Sequence, residues 1–148
     1  MRLRLMCLAI VGVATTTAFS LSAQESKSQW NGVYTGEQAK RGEAAYLKKC
    51  AACHVADLTG GADEYNPAPA LIGAQFVENW NDKTLAELFT KIHTTMPQDD
   101  PGKLTLQETS DIIAFMLQKA NYPLGTAELP AQDESLKAYK FLAKKPEA

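Results

Sequence analysis

The sequence predicts an all-α protein of about four to five helices, and three local patterns support that prediction. Segments 35–38, 84–87 and 105–108 each begin with Thr and end with Gln or Glu, which is the pattern of a capping box at a helix start. After the second and third of these segments, apolar residues recur at the spacing of an amphipathic helix. No segment before residue 50 has the pattern of a β-strand.

Residues 1–23 have the features of a secretory signal peptide. Two arginines are followed by an apolar run at 5–14, which is too short to span a bilayer comfortably. Residues 21–23 fit a cleavage site, with 18–20 as an alternative, and an uncleaved N-terminal anchor is the other possibility. Export is therefore expected, and the polar residues 24–34 would follow as an N-terminal linker.

The first helix is expected from Thr35 to about Cys50. Gly42 lies inside it, although glycine costs about 1 kcal/mol relative to alanine in a helix interior. Close approach of another helix would explain this glycine. Because Gly42 and Tyr46 lie near one face, we expect the last main helix to cross the first one there.

The segment Cys50-Ala51-Ala52-Cys53-His54 has the Cys-x-x-Cys-His pattern that attaches a c-type haem. The two thiols add across the haem vinyl groups, and the histidine can bind iron as the proximal ligand. A redox-active dithiol would need a thioredoxin-like strand before it, and a zinc site would need a second ligand pair. Neither is predicted, although a plain disulfide remains possible in an oxidising compartment. The pattern favours haem c, attached to Cys50 and Cys53.

Residues 55–72 have neither helical nor strand periodicity and contain several glycines and prolines. A loop of this length in a compact domain is usually functional. A metal-bound histidine normally donates its second ring N–H to an oxygen acceptor. The carbonyl of Pro69 is therefore a candidate acceptor for His54 Nδ1–H, and an ordinary turn proline is the alternative.

Trp80 follows a short helix predicted at 74–79. Its indole N–H is expected to reach one of two acceptors. A haem propionate would make it part of the cofactor site, whereas a backbone carbonyl would make it a core residue.

Met96 is the candidate for the second axial ligand. It follows the helix that begins after Thr84, in a loop-forming segment where Pro97 stiffens the backbone. A thioether held on a rigid loop suits the sixth position of haem iron and raises its potential. His93, near the end of the same helix and expected to be exposed, is the weaker rival.

The last main helix is expected to begin after Thr105 and to run to about residue 121. Residues 124–148 then form a C-terminal extension, with a possible short helix at 134–143 whose inner face would carry Leu136, Tyr139 and Leu142. The lysines of this extension would form a solvated face or dock an acidic partner.

Charge limits the possible partners. Removal of residues 1–23 leaves 13 basic residues against 17 acidic ones, a formal net charge of −4. A nucleic acid is therefore not an expected partner, since no basic excess exists to neutralise phosphates. No second apolar run approaches transmembrane length, so no membrane span is expected after signal removal.

Together, these residues resemble a class I cytochrome c over about residues 39–123. The features that carry the resemblance occur in the family's order: Gly42 and Tyr46 in a helix, Cys50-Ala51-Ala52-Cys53-His54, Pro69-Ala70-Leu71, Trp80, Met96-Pro97 and a closing apolar helix. The resemblance implies an all-α cytochrome c fold over residues 35–123, wrapped around one covalent haem c. It implies His54 and Met96 as axial ligands, with the Pro69 carbonyl holding His54.

A weaker likeness connects the chain to cytochromes associated with pyrroloquinoline-quinone-dependent alcohol dehydrogenases. It rests on Val33-Tyr34 and on segments 69–73 and 122–130. It implies a periplasmic electron carrier rather than an enzyme, acting between a dehydrogenase and an oxidase or larger cytochrome, as a monomer or as a subunit of a complex. The alternative is a five-coordinate haem protein, with Met96 unbound, that binds gases or reacts with peroxide.

Overall fold

Helices make up nearly all the regular structure of this protein. The computed structural model describes residues 27–61 and 68–147, so the expected signal peptide lies outside the described residues. The elements are β1 (Lys27–Ser28), a 3₁₀ turn (Gln29–Asn31), α1 (Gly36–Lys49), α2 (Ala51–His54), α3 (Ala74–Trp80), α4 (Leu85–Thr95), α5 (Leu106–Lys119), α6 (Asp133–Leu136) and β2 (Tyr139–Lys140). The all-α prediction is confirmed.

Helices α1 and α5 form the most extensive packing in the described chain. At Gly42 the two backbones approach so closely that a Cβ atom would overlap the Asp111 carbonyl. One turn further along α1, the Tyr46 ring packs against Phe115 with centroids 5.3 Å apart. The predicted crossing at Gly42 and Tyr46 is confirmed, and close backbone approach explains the glycine.

The predicted capping boxes are present at two of three helix starts. In α4 and α5 the N-cap threonine and the glutamate three residues later bond reciprocally. In α1 only half of the box forms, because the Thr35 hydroxyl accepts from the Gln38 N–H at 3.1 Å while the Gln38 side chain points elsewhere. The buried Gln38 amide instead exchanges two hydrogen bonds with the Leu129 backbone, at 2.9 and 2.7 Å. The expectation that Gln38 reaches back to its own cap was wrong because burial in the α1–α5 interface gives it a better partner.

An ion-pair cluster reinforces the same interface. The guanidinium of Arg41 makes paired hydrogen bonds to Asp111 on α5 and to Glu128 in the C-terminal extension, all between 2.8 and 3.0 Å. These carboxylates raise the pKa of Arg41. The first part of the C-terminal extension is therefore fixed to both helices.

The two ends of the described chain meet in what we call the terminal clasp, residues 27–30 and 139–143. Strands β1 and β2 pair in parallel, with Lys27 opposite Tyr139. The Gln29 amide bonds both the N–H and the C=O of Leu142, at 2.9 and 2.6 Å. The expected linker and extension thus pack onto the helical domain from residue 27 onward.

The second half of the extension differs from the expected helix at 134–143. Helix α6 ends at Leu136, and the chain continues as the extended strand of the clasp because its backbone pairs with β1 and with residues 82–84. Phe141, rather than Tyr139 or Leu142, is the buried residue there, with 2 % exposure. Within residues 27–61 and 68–147, no helix has both the length and the apolar character needed to cross a bilayer.

Candidate functional site

The Cys-x-x-Cys-His segment forms a single compact turn. Cys50 closes α1 by donating its N–H to Tyr46 O at 2.8 Å, and its own carbonyl accepts from Cys53 N at 3.1 Å and His54 N at 2.9 Å. Cys53 and His54 therefore belong to one helical turn, α2, and Cys50 is its N-cap residue. Cys50 is half-buried and Cys53 is exposed. A group attached to both sulfurs would lie against this turn, with His54 beside it.

His54 is held in one orientation by a backbone acceptor. Its ring is buried, with 8 % exposure, and Nδ1 lies 2.8 Å from the carbonyl oxygen of Pro69. Because a carbonyl only accepts, Nδ1 carries the hydrogen and donates it. The lone pair is then on Nε2, which is the tautomer that a metal ligand requires.

A second set of contacts fixes the backbone on either side of the His54–Pro69 pair. The buried Tyr46 hydroxyl donates to Val55 O at 2.7 Å and lies 3.3 Å from His54 O. Gly60 has a φ of +83°, and a Cβ there would lie 2.6 Å from Ala68 O, so only glycine lets residues 68–70 approach. Neither the contact of the Tyr46 hydroxyl nor the role of Gly60 was predictable from the sequence, because both depend on contacts between segments.

Burial affects the ionisation of groups around this turn. It raises the pKa of Cys50 to about 11, although the nearby Lys49 opposes the change. Burial also raises the pKa of Tyr46, so its hydroxyl stays protonated and able to donate at neutral pH. Before attachment, the Cys50 sulfur is therefore a neutral thiol at pH 7.

Several apolar side chains that lie between His54 and Met96 in the sequence are incompletely covered by protein. Five residues pack against the core yet remain only half-buried: Leu71, Ile72, Val77, Trp80 and Ile92. Apolar surface of this kind suits contact with the face of a porphyrin. The donor set and the surrounding residues therefore fit a c-type haem.

Met96 occupies the end of α4. It is the C-cap residue, half-buried, and its N–H donates to Ile92 O at 3.0 Å. The helix thus fixes the position of its backbone. In the described part of the chain, no hydrogen bond joins Met96 or Trp80 to the His54–Pro69 pair.

His93, the weaker candidate ligand, packs inside the protein more than expected. Its ring stacks on Phe89 with centroids 5.9 Å apart, and Nδ1 lies 3.4 Å from Thr109 Oγ1. The residue is half-buried, so the expectation of an exposed side chain was wrong. The contact with Phe89 arises because the two residues are four apart on one helix face.

Trp80 closes α3 and is half-buried. Its ring lies 6.0 Å from that of Phe76, and Lys83 Nζ lies 5.0 Å from its centroid. Among the described residues, no protein group accepts from its indole N–H, whereas the indole N–H of Trp30 donates to Leu142 O at 2.9 Å. The backbone carbonyl that would make Trp80 a simple core residue is therefore not seen.

The chain matches the model of a known protein family. The model described as Cytochrome C oxidase, cbb3-type, subunit III matches residues 37–116, more than half of the chain. The match includes the Cys-x-x-Cys-His turn, Pro69, Trp80 and Met96, whereas both parts of the terminal clasp lie outside it. Neither a curated protein nor a solved structure matches the chain.

Proposed function

Because this chain belongs to the family of c-type cytochrome domains described as Cytochrome C oxidase, cbb3-type, subunit III, we propose that it is a periplasmic electron carrier in which His54 and Met96 bind the iron. The family carries covalent haem c and serves electron transfer. Beyond this family chemistry, we propose the two axial ligands, the periplasmic location and the redox partners.

The observation that carries the proposal is the hydrogen bond between His54 Nδ1–H and Pro69 O. It leaves Nε2 as the only ring atom with a free lone pair, next to the two cysteines that attach the haem. Haem c supplies reversible one-electron chemistry at its iron. The protein's part is to bind and orient it, to fix both axial donors and to exclude water.

Trp80 and Met96 complete the proposed site. The indole N–H of Trp80 donates to no described protein group and is suited to a haem propionate. Met96 offers a thioether at the end of a capped helix, and such a ligand raises the reduction potential relative to a second histidine. A haem whose iron was held by both His54 and Met96 would supply one-electron transfer and would have no position left for a substrate.

The proposed partners are a periplasmic dehydrogenase of the quinone-dependent kind as donor and a terminal acceptor. The signal-like residues 1–23 support export, and the oxidase named in the family's description is a suitable class of acceptor. Encounters between electron-transfer proteins are small and short-lived. We therefore expect weak, salt-sensitive binding rather than a permanent complex.

The ligand assignment can be tested with a matched pair of variants. Met96 and Met116 are the two methionines after residue 23, and leucine conserves their volume. We expect Met96→Leu to lose the far-red band of Met-ligated ferric haem, to lower the potential and to let the ferrous protein bind CO. Met116→Leu, in the buried face of α5, should retain all three wild-type properties.

Visible spectra of the wild-type holoprotein test the proposal first. Low-spin spectra in both redox states, with the far-red band in the ferric state, would support ligation by His54 and Met96. A high-spin spectrum with rapid CO binding would overturn it and indicate a five-coordinate protein that binds gases or reacts with peroxide. Absence of covalent haem after periplasmic expression would indicate a thiol-disulfide protein instead.

A further inference from the structure

The terminal clasp is bonded to the corner between α3 and α4, which we define as residues 81–84. Phe141 N–H donates to Lys83 O, and Asp82 N–H donates to Phe141 O, both at 2.8 Å. Ala143 N–H donates to the side-chain oxygen of Asn81, also at 2.8 Å. The clasp therefore holds this corner through both backbone and side-chain contacts.

The Phe141 side chain anchors the clasp in the core. It is 2 % exposed and packs edge-on against Phe76 and Tyr122, with centroids 5.8 Å away in each case. Phe76 in turn lies beside Trp80, the last residue of α3. One side chain thus connects the clasp, α3 and the segment that follows α5.

The corner has no wide hydrophobic face of its own. Asn81, Asp82 and Lys83 are exposed. Asp82 has a φ of 64°, a left-handed backbone conformation that residues other than glycine adopt with some strain. The bonds with Phe141 and Ala143 and the bridge from Lys140 therefore give this turn external support.

Helix α4 transmits the position of the corner to Met96. It begins directly after Thr84 and ends at its C-cap, Met96, after 11 residues, a length of about 16 Å. Over that length a tilt of about 4° displaces the far end by about 1 Å. A displacement of that size is large compared with the tolerance of a bond to a metal.

We propose that Phe141 is a positioning residue for the sixth iron ligand: by fixing the α3–α4 corner, the clasp keeps Met96 bound to iron. The inference rests on the proposed ligation by Met96. It assigns a role in the haem site to a segment outside the family match, which residues 37–116 delimit.

Full-length, haem-loaded Phe141→Ala tests the inference, with Leu129→Ala as the matched control. Both residues are buried in the C-terminal extension, but Leu129 bonds the Gln38 side chain and lies beside Ser110, away from the corner. CO binds only to iron that has lost Met96. The apparent rate of CO binding is therefore proportional to the fraction of the protein in which Met96 is unbound. We expect Phe141→Ala to raise the CO-binding rate of the ferrous protein about tenfold or more and to weaken the far-red ferric band.

Leu129→Ala should lower the unfolding midpoint comparably, yet leave the CO-binding rate within about twofold of wild type. Equal increases in both variants, or none in Phe141→Ala, would overturn the positioning role. If Phe141→Ala fails to accumulate, Asn81→Ala removes one clasp contact at an exposed position and should give a smaller increase in the same direction. A wild-type protein without the far-red band would instead refute the ligation by Met96 itself.

Discussion

The two sides of this molecule differ in what completes their packing. Between α1 and α5 the protein supplies both surfaces, so that every residue from Thr109 to Leu117 is buried and the backbones approach closely at Gly42. In contrast, several large apolar residues from Leu71 to Ile92, which lie between His54 and Met96 in the sequence, remain half-buried. The first side is a scaffold that packs with itself, and the second is shaped to receive a cofactor.

The polar groups show the same difference. On the scaffold side, Gln38 and Arg41 bond to Leu129, Asp111 and Glu128, so their donors are matched within the protein. On the proposed cofactor side, three groups have no hydrogen-bond partner among the described residues: Nε2 of His54, the thioether of Met96 and the indole N–H of Trp80. They are the groups that the proposed haem site would use.

The largest expected effect comes from disturbing the scaffold at Gly42. Gly42→Ala should lower the free energy of unfolding by about 2–3 kcal/mol, because the new methyl group meets the backbone of α5 and not a side chain that could move aside. Denaturant titration of the holoprotein measures this. Gly36→Ala is the control, since a Cβ there meets nothing within 4 Å, and its effect should stay within about 0.5 kcal/mol.

Removing the cofactor should destabilise the cofactor side, which includes α3 and α4. In the double variant Cys50→Ser/Cys53→Ser, which cannot attach haem covalently, we expect amides of α3 and α4 to lose protection from hydrogen exchange. The loss should exceed that in α1 and α5 by about tenfold, because α3 and α4 carry half-buried apolar residues that a cofactor would cover, whereas the apolar residues of α5 are already buried by protein. Equal loss in all four helices would contradict the division into two sides.

The smallest expected effect is the pH dependence of the stability that the two capping-box glutamates contribute. A hydrogen bond from Lys49 and one from the Thr105 N–H lower the pKa of Glu108. A carboxylate with a lowered folded pKa stabilises the fold above its unfolded value, and that contribution is lost as the pH falls through the folded pKa. The stability difference between wild type and Glu108→Gln should therefore shrink between about pH 5 and pH 3.

At pH 7 the stability difference between wild type and Glu108→Gln should be below about 1 kcal/mol, because the Glu108 and Lys49 side chains are 33 % and 28 % exposed. Glu87→Gln on α4 is the comparison. Bonds from Thr84 lower the pKa of Glu87 as well, but among the described residues no salt bridge accompanies them. High salt should therefore reduce the effect of Glu108→Gln more than that of Glu87→Gln.

Much of the helical domain was predictable because its signals are local. The capping boxes at 84–87 and 105–108 lie within one helical turn, and Gly42 indicated a close helix crossing that the structure confirms. The Cys-x-x-Cys-His pattern likewise led to haem c, which the family match supports. The assignment of Met96, Pro69 and Trp80 to the haem site stays a prediction.

The terminal clasp was not predictable in the same way. Its contacts join residues far apart in the sequence, as in the pairing of Lys27 with Tyr139, and two-residue strands have no periodicity to detect. The Leu136, Tyr139 and Leu142 spacing even suggested a helix where the structure has an extended strand. Gln38 was misassigned for a related reason, because a distant backbone competes successfully with a nearby one.

The position of the clasp in the chain also sets an order of assembly. Residues 139–143 follow every described residue they contact, so in the proposed export, with the N-terminus first, they reach the periplasm last among these partners. Cys50, Cys53 and His54 arrive earlier, when the corner at 81–84 still lacks its contacts with the clasp. Attachment of the cofactor can therefore precede the final closure, and the last strand would lock a haem already in place.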